Sequence, residues 1–417
     1  MLRASPKSFR LHIGFFGRRN VGKSSLLNAI TRQNVSIVSE SAGTTTDPVE
    51  KPMELLPLGP VLFIDTAGID DIGALGELRI QKTRQIFDRT DVAVVVTEAG
   101  IWGEFEEGLC NEFKSRNVPI VVVFNKVDLH EPDETLCNRL KNEKILYVKT
   151  IASKQDGISE LKNALISSAP DDFINSPTIL GDLVAPGELA VLVVPIDKEA
   201  PKGRLIMPQV QSIRDLLDND AMCVVVKERE LRRILEQLKI LPKIVVTDSQ
   251  AFLKVVADTP SNVWVTSFSI LFSRFRGDLI TQVEGTLAIE SLKPGDKILI
   301  AESCSHHPIA DDIGRVKIPR WLMQYIGGKL EFDTVQGNDF FSDLTKYKMV
   351  IHCGACTLNR RAMLNRIMHC KKQGIPISNY GLTIAYSLGI LERALEPFPS
   401  ALEIYKQKTT KKLQNIK

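Results

Sequence analysis

The chain has 417 residues, a formal net charge of +3 at pH 7 and 44% hydrophobic residues. Its length accommodates two or three domains, and its composition is that of an ordinary globular protein. The near-neutral charge argues against a strong electrostatic field for nucleic acids, and the hydrophobic runs are too short for a membrane span. Residues 1–9 lack the apolar core of a secretory signal, and 7 irregularly spaced cysteines are typical of a reducing compartment. We therefore expect a cytoplasmic protein that binds neither membranes nor nucleic acid.

The first motif follows a predicted strand at 11–16. Residues 17–24 read Gly-Arg-Arg-Asn-Val-Gly-Lys-Ser and match the G-x-x-x-x-G-K-S phosphate loop, with a predicted helix after it. Backbone N–H groups of such a loop cradle phosphates, the lysine reaches the β and γ oxygens, and the serine hydroxyl binds Mg²⁺. The predicted nucleotide contacts of this loop are Gly17, Asn20, Val21, Gly22, Lys23, Ser24 and Ser25.

Two switch motifs follow the phosphate loop along the chain. Asp65-Thr66-Ala67-Gly68 follows a predicted strand, so Asp65 would hold Mg²⁺ through water and the Gly68 N–H would meet the γ-phosphate. Thr45 lies in a Gly-Thr-Thr loop before it and is the predicted switch-one Mg²⁺ ligand. Together with the phosphate loop, these motifs predict a Mg²⁺-dependent nucleotide hydrolase.

The nucleotide base is identified by Asn125-Lys126-Val127-Asp128, which follows a predicted strand at 121–124. The carboxylate of Asp128 can accept both the N1–H and the N2–H₂ of guanine, and adenine offers no such pair. The pattern resembles the N-K-x-D motif of translation-factor-like GTPases. In that class a Ser-Ala-Lys loop contacts the base through a backbone N–H. Ala152-Ser153-Lys154 occupies the corresponding place here, which suggests Ser153 as a nucleotide contact.

The switch region resembles the TrmE–Era class of GTPases. Ile69 stands where Ras-like enzymes have their water-orienting glutamine, and an isoleucine cannot orient water. In the TrmE–Era class an asparagine at the position of Asn20 helps hold K⁺ in place of an arginine finger, so we expect K⁺ activation. The tRNA-modifying member also uses a switch-two glutamate, and Glu77 has a similar offset. The alternative is that Glu77 only solvates a switch-two helix.

Strand and helix patterns predict three α/β domains. A P-loop GTPase domain at 8–168 and a linker are followed by a second domain at 177–262, whose alternating strands and helices indicate a mostly parallel sheet. The second domain is interpreted as a dimerisation module or a plain spacer. The third domain, at 263–405, is predicted to begin with one helix over 268–289. Its strands are predicted at 298–301, 330–332, 349–351 and 375–377, and its helices at 318–326, 359–368 and 383–388.

Cysteine and histidine residues cluster after two predicted strands of the third domain. One segment is Cys304-Ser305-His306-His307 and the other is His352-Cys353-Gly354-Ala355-Cys356. The carboxyl ends of parallel strands share one edge of a sheet, so both loops can surround one metal centre. Cys356 is expected near a helix N-terminus, whose partial charge favours the thiolate. Spacing alone leaves open a zinc site, an iron–sulfur cluster, a Cys-x-x-Cys redox pair and inert buried cysteines.

The motifs in combination resemble the HydF family of FeFe-hydrogenase maturation GTPases. Cys304-Ser305-His306 matches its C-x-H motif, and residues 352–356 match H-C-x-x-C, so the resemblance spans essentially the whole chain. The resemblance implies a 4Fe–4S cluster on Cys304, Cys353 and Cys356 and a homodimer or higher oligomer. It further implies a scaffold that receives a di-iron subcluster precursor from radical-SAM maturases and delivers it to apo-hydrogenase.

Two questions stay open at the level of sequence. The fourth cluster ligand could be His306, which we favour because it lies two residues after Cys304. The alternatives are His307, His352, Glu302 and an exogenous ligand such as water. The competing function is a GTP-regulated, zinc-containing assembly factor for ribosomes or tRNA. That function predicts a basic patch and aromatic platforms, which the net charge of +3 and the 6% aromatic content do not support.

Overall fold

The structure, a computed structural model, describes residues 7–31, 49–66, 85–174, 177–195, 205–303, 312–337 and 339–415. The chain divides into two compact units, with the boundary between residues 176 and 177. The predicted limit of the first domain at 168 falls directly after a helix that ends at Ser167. Within the part of the chain described, no helix is both long and apolar enough to cross a membrane.

The first unit alternates strands with helices. The described strands are β1 (Leu11–Phe16), β2 (Val49–Leu55), β3 (Gly59–Asp65), β4 (Val92–Glu98), β5 (Ile120–Asn125) and β6 (Leu146–Thr150). The described helices are α1 (Lys23–Thr31), α2 (Glu104–Ser115), α3 (Glu134–Asn142), α4 (Ile158–Ser167) and α5 (Asp171–Ile174).

These strands form one twisted sheet with the order β2-β3-β1-β4-β5-β6. The β2 strand is antiparallel to β3, and the other neighbours are parallel. Successive side chains of a strand face opposite sides, so Ile13 and Phe15 enter one hydrophobic core while Phe16 joins Ile64 in the other. Both faces of the sheet are therefore covered, and the carboxyl ends of β1, β3, β5 and β6 lie at one edge.

The second unit also alternates strands with helices. Its described strands are β7 (Leu189–Val193), β8 (Met222–Val226), β9 (Ile244–Thr247), β10 (Trp264–Ser267), β11 (Lys297–Glu302), β12 (Glu331–Gln336), β13 (Met349–His352) and β14 (Ile377–Asn379). The described helices are α6 (Met207–Asp218), α7 (Leu231–Gln237), α8 (Phe252–Asp258), α9 (Phe268–Arg276), α10 (Leu279–Leu287), α11 (Ile318–Ile326), α12 (Arg360–Lys372), α13 (Tyr380–Ser387), α14 (Leu391–Leu395) and α15 (Pro399–Asn415).

Two parallel sheets organise this unit. The first has the order β10-β9-β7-β8, and the second has the order β12-β11-β13-β14. All described neighbours in both sheets are parallel. This arrangement confirms the predicted α/β class, with a P-loop domain followed by two smaller, mostly parallel sheets.

The structure differs from three details of the sequence prediction. Strand β10 pairs with β9, so the predicted boundary at residue 262 would cut the middle sheet before its last strand. The helix predicted over 268–289 is two helices. Helix α9 ends at Arg276 with Gly277 as its C-cap, and Asp278 begins α10 by accepting a hydrogen bond from the Thr281 N–H. Strands β12 and β14 are also shifted toward the C-terminus relative to the predicted 330–332 and 375–377.

Candidate functional site

The phosphate loop lies between β1 and α1. Lys23 is buried and its Nζ donates to the carbonyl oxygens of Gly17 and Arg18, at 2.5 and 2.6 Å. The ammonium group is thereby held inside the loop, facing the backbone that would surround a phosphate. Gly17 has a φ of 149°, and a Cβ there would stand 2.0 Å from the Val96 carbonyl oxygen. Only glycine fits this close approach of the loop to β4.

A pair of Mg²⁺-type oxygen donors lies beside the loop. The Ser24 hydroxyl donates to Asp65 Oδ2 at 2.7 Å. Asp65 is the last residue of β3 and pairs with Phe15 of β1, so it lies at the same edge of the sheet as the phosphate loop. The other oxygen, Oδ1, is buried and has no hydrogen-bond partner among the described residues. A buried carboxylate oxygen without a donor is a fitting ligand, directly or through water, for a hard cation.

Asn125 connects three loops of the nucleotide edge. Its Nδ2 donates to the Val21 carbonyl at 2.8 Å, and its Oδ1 accepts from the Thr150 hydroxyl and the Ala152 N–H, each at 3.1 Å. Its side chain is buried, and a Cβ on Gly22 would meet Nδ2 at 2.2 Å. Asn125 therefore fixes the phosphate loop against the base-recognition loops.

The two charged residues of the N-K-x-D motif have separate settings. Lys126 has a φ of 58° and its Nζ forms an ion pair with Glu98 at 2.7 Å. The carboxylate of Asp128 is partly exposed and is 3.3 Å from Lys154 Nζ. Ser153 is exposed in the turn Ala152–Lys154 that follows β6. Asp128 is thus accessible to a base at the same edge as the phosphate loop.

One contact of the phosphate loop was not predicted from the sequence. Arg18 donates to both carboxylate oxygens of Glu106, at 2.8 and 3.1 Å, and its guanidinium lies over the Phe105 ring. Glu106 is fully buried and also accepts from the Gly103 N–H at the start of α2. A glutamate three residues after a helix-starting glycine indicates capping, but nothing in the local sequence points to Arg18.

Several predicted residues lie outside the described part of the chain. They are Thr45, Gly68, Ile69, Glu77, Cys304, His306 and His307. Their predicted roles as switch, Mg²⁺, catalytic or cluster-binding residues stay predictions.

The second candidate site lies at the carboxyl ends of β11 and β13. These strands pair in register, with Ala301 opposite His352, and the Cys353 N–H donates to the Ala301 carbonyl at 2.9 Å. The next residue of β11's chain, Ser303, contacts the Cys353 sulfur through its N–H at 3.1 Å and its hydroxyl at 3.0 Å. Cys304, the next residue in the sequence, lies outside the described residues, so the convergence of the two cysteine segments stays a prediction.

His352 is fully buried and both of its ring nitrogens are engaged. Arg366 Nη1 lies 2.9 Å from Nε2, and a guanidinium can only donate, so Nε2 is the acceptor. Nδ1 therefore carries the proton and donates to the Cys353 carbonyl at 2.8 Å. Burial, reinforced by the Arg366 charge, lowers the pKa of His352 to about 3 and keeps the ring neutral. In this arrangement His352 has no lone pair left for a metal, and the geometry favours an indirect role.

Glu302, the alternative oxygen ligand, is also engaged. Its Oε2 accepts from Arg315 at 3.2 Å and from Gln336 at 3.1 Å, and its Oε1 accepts from the Tyr380 hydroxyl at 3.4 Å. The carboxylate is 2% exposed. These contacts tie the end of β11 to β12 and to the start of α13, which holds the edge of the sheet in place.

The cysteine loop itself has two notable properties. Ala355 has a φ of 53°, a left-handed conformation that costs an alanine about 1–3 kcal/mol and is common where a loop is shaped for a ligand. Burial, and to a smaller extent the negative charge of a nearby Cys353 thiolate, raises the pKa of the Cys356 thiol to about 11. The helix that was expected to favour the Cys356 thiolate begins only at Arg360 and is capped by Asn359, so burial sets the direction of the shift. Among the described residues no group of three or more His, Cys, Asp or Glu side chains forms a metal-type cluster.

Comparisons with known proteins identify GTPases that are similar to part of this chain. The chain is 36% identical over 158 residues to the tRNA modification GTPase MnmE of Synechococcus sp. (strain JA-3-3Ab), covering 37% of this chain and 32% of that protein. It is 35% identical over 127 residues to the GTPase Der of Campylobacter hominis, covering 30% of this chain and 27% of that protein. The chain thus spans about a third or less of these relatives' lengths. A solved Era variant of Aquifex aeolicus bound to GDP.AlF4- has 20% identity and a TM-score of 0.34, and covers 59% of this chain and 97% of its own.

Family models cover all three predicted regions of the chain. Residues 12–126 match a model described as a 50S ribosome-binding GTPase, which identifies the first unit as a GTPase domain. Residues 179–277 match the hydrogen maturase F dimerization domain, and residues 280–397 match the hydrogen maturase F tetramerization domain. The chain therefore belongs to the HydF-type hydrogenase maturases and carries a GTPase domain of the TrmE–Era type.

Proposed function

We propose that this protein is a GTP-hydrolysing scaffold and carrier in the cytoplasmic maturation of FeFe-hydrogenase. In this proposal Cys304, Cys353 and Cys356 bind a 4Fe–4S cluster, and a di-iron subcluster precursor is received from radical-SAM maturases and passed to apo-hydrogenase. The observation that carries the proposal is the contact of Ser303, which immediately precedes Cys304, with the Cys353 sulfur at the end of a sheet in a hydrogen maturase domain.

The described donors fit such a cluster. The N–H of Ser303 contacts the Cys353 sulfur. Cys304 is the next residue in the sequence, and consecutive Cα atoms are 3.8 Å apart, which supports a shared site for Cys304 and Cys353. Thiolates are the usual ligands of iron–sulfur clusters, and metal binding deprotonates thiols whose pKa is high in the free protein. A bound cluster would supply a one-electron centre with one iron that no cysteine ligates.

GTP and Mg²⁺ binding are supported by the first unit. Lys23, Ser24 and the unpartnered Asp65 oxygen lie at one end of the site, and Asp128 lies at the base end. Hydrolysis should be slow, since Ile69 offers no group to orient the attacking water.

K⁺ activation is the first testable consequence. Asn20 is exposed in the phosphate loop with a φ of 64°, and we expect GTP hydrolysis at least about tenfold faster in K⁺ than in Na⁺, because a bound cation replaces an arginine finger. Asn20→Ala should remove the difference. Asn117→Ala is a matched control, since Asn117 is also exposed and has a φ of 52°. Equal rates of the parent in both salts would contradict the prediction.

A homodimer or a higher oligomer is supported by the descriptions of both hydrogen maturase F domain models. Strand β8 is an edge of the described middle sheet, and its residues Met222 and Val225 are 54% and 42% exposed. Apolar side chains on an open edge strand are typical of a surface covered by another chain.

His352 and Arg366 are proposed to position the cysteine loop. Replacing Arg366 by methionine would leave the buried Nε2 of His352 without a donor, which costs about 1–3 kcal/mol. In the metal-free full-length protein we expect a lower thermal unfolding midpoint for the second unit. In the iron-loaded protein we expect faster loss of iron to a chelator. The exposed Arg320→Met on α11 should change neither. An Arg366→Met protein with the parent's midpoint and iron-release rate would overturn this role.

The maturation function is tested by activating apo-hydrogenase. Apo-hydrogenase produced without its maturation system should gain activity when mixed with this protein purified after co-expression with the radical-SAM maturases. The same protein prepared without those maturases should give none. Failure of the loaded, cluster-containing protein to activate apo-hydrogenase would contradict the carrier role. The RNA or ribosome assembly factor is not favoured, because the models matched after residue 179 are those of a hydrogen maturase.

A further inference from the structure

Ser303 joins the two loops of the cysteine site through three contacts. Its N–H and its hydroxyl both reach the Cys353 sulfur, at 3.1 and 3.0 Å, and its carbonyl accepts from the Thr357 hydroxyl at 2.8 Å. Ser303 is only 6% exposed, so little water competes for these bonds. The sequence alone gives no sign of this role, because Ser303 and Cys353 are fifty positions apart.

The direction of the hydroxyl bond follows from the chemistry of the sulfur. A free thiol could donate or accept, but a cysteine sulfur bound to a metal carries no proton. The Ser303 hydroxyl must then be the donor, and the sulfur accepts two hydrogen bonds from one residue. The bond between the Cys353 N–H and the Ala301 carbonyl holds the two strands at the separation that these contacts need.

We propose that Ser303 is a positioning residue that raises the reduction potential of the cluster bound through Cys353. This inference rests on the proposed cluster. Reduction adds one electron and makes the cluster and its sulfur ligands more negative, so a donated hydrogen bond stabilises the reduced form more than the oxidised form. The effect is strong at a buried site, where the local dielectric is low. Ser303 thus sets how easily the site accepts an electron, while the cysteines hold the iron.

Three variants separate the hydroxyl from the rest of the contact. Ser303→Ala removes the hydroxyl donor and keeps the backbone N–H at the sulfur. Ser303→Thr keeps the hydroxyl and serves as the conservative rescue. Thr357→Val removes the bond that anchors the Ser303 carbonyl but leaves both sulfur donors, and therefore reports on loop position alone.

The experiment is an EPR-monitored titration of the full-length, anaerobically reconstituted proteins with dithionite. At a fixed solution potential we expect Ser303→Ala to lower the ratio of reduced to oxidised cluster by about three- to tenfold, where tenfold is about 59 mV for a one-electron couple. Ser303→Thr and Thr357→Val should titrate close to the parent. An unchanged potential in Ser303→Ala, or an equal shift in Thr357→Val, would overturn the proposal.

A second measurement on the parent protein covers the case in which Ser303→Ala assembles no cluster. After exchange into D₂O, pulsed EPR of the reduced parent cluster should detect strongly coupled exchangeable deuterons from the Ser303 hydroxyl and N–H. Absence of such coupling would overturn the proposal even though the cluster is present. Absence of iron and sulfide from the parent itself would instead refute the proposed cluster function, so the two failures are distinguishable.

Discussion

We expect Lys23→Ala to slow GTP hydrolysis by at least about 100-fold, the loss found when one charge-stabilising donor is removed from a preorganised site. The Lys23 ammonium is held by two loop carbonyls, and in a phosphate loop of this type we expect it to reach the β and γ oxygens. The iron content of the protein should stay at the parent level, because the cysteines belong to the second compact unit. Phosphate release and bound iron are measured on the same preparation.

The control for this variant is Lys51→Ala in the same unit. Lys51 is 9% exposed and Lys23 is 6% exposed, so both substitutions remove a buried lysine. The Lys51 amine donates to the Asn28 side chain and lies outside the phosphate loop. A Lys51→Ala protein as inactive as Lys23→Ala would show that general destabilisation explains the loss. Lys23→Ala protein that still hydrolyses GTP at the parent rate would refute the assigned role.

The second large effect is expected for Cys353→Ser. Replacing a residue that hydrogen-bonds to a metal ligand typically lowers metal affinity 10–100-fold. Loss of a ligand itself should cost at least as much, so we expect the iron content to fall by at least about tenfold. GTP hydrolysis should stay within about twofold of the parent, since Cys353 belongs to the other compact unit. Iron, sulfide and phosphate release are the three readouts.

Cys223→Ser is the matched control for the cysteine prediction. Cys223 lies on the edge strand β8, is half-buried, and has no part in the cysteine site. Its serine variant should keep both iron and GTPase activity. Full iron occupancy in Cys353→Ser would contradict the assignment of Cys353 as a ligand, and loss of both activities in a folded Cys353→Ser protein would contradict the separation of the two sites.

The sequence was informative where chemistry is encoded locally. The phosphate loop and the N-K-x-D motif each directly follow a strand, so a few consecutive residues specify both the structure and the ligand atoms. The roles of Lys23, Ser24, Asp65 and Asp128 can therefore be predicted from the sequence alone. The alternation of strands and helices also predicted parallel sheets, because such connections need a crossover between neighbouring strands.

The sequence was less informative where a residue acts through distant contacts. Arg18 reaches Glu106, Ser303 reaches Cys353, and no local pattern encodes either pairing. A histidine next to a cysteine suggests metal binding, so the sequence alone makes His352 a candidate ligand. Its engagement with Arg366, fourteen positions later, depends on how α12 packs against the sheet.

Boundaries between elements were also predicted incompletely. Gly277 and Asp278 interrupt the helix predicted over 268–289, and both are residues that end or begin helices. The hydrophobic periodicity continued across them and concealed the break. Strand β10 was separated from its sheet by the predicted boundary at 262, because pairing with β9 is a tertiary contact.

The proposed iron–sulfur scaffold is tested most directly by a metal and sulfide analysis of the full-length protein after anaerobic reconstitution. We expect about four iron atoms and about four acid-labile sulfides per chain, with little zinc, as for a 4Fe–4S cluster. The same preparation should hydrolyse GTP. About one zinc per chain without sulfide, in a protein that binds GTP normally, would refute the cluster and indicate a structural zinc site.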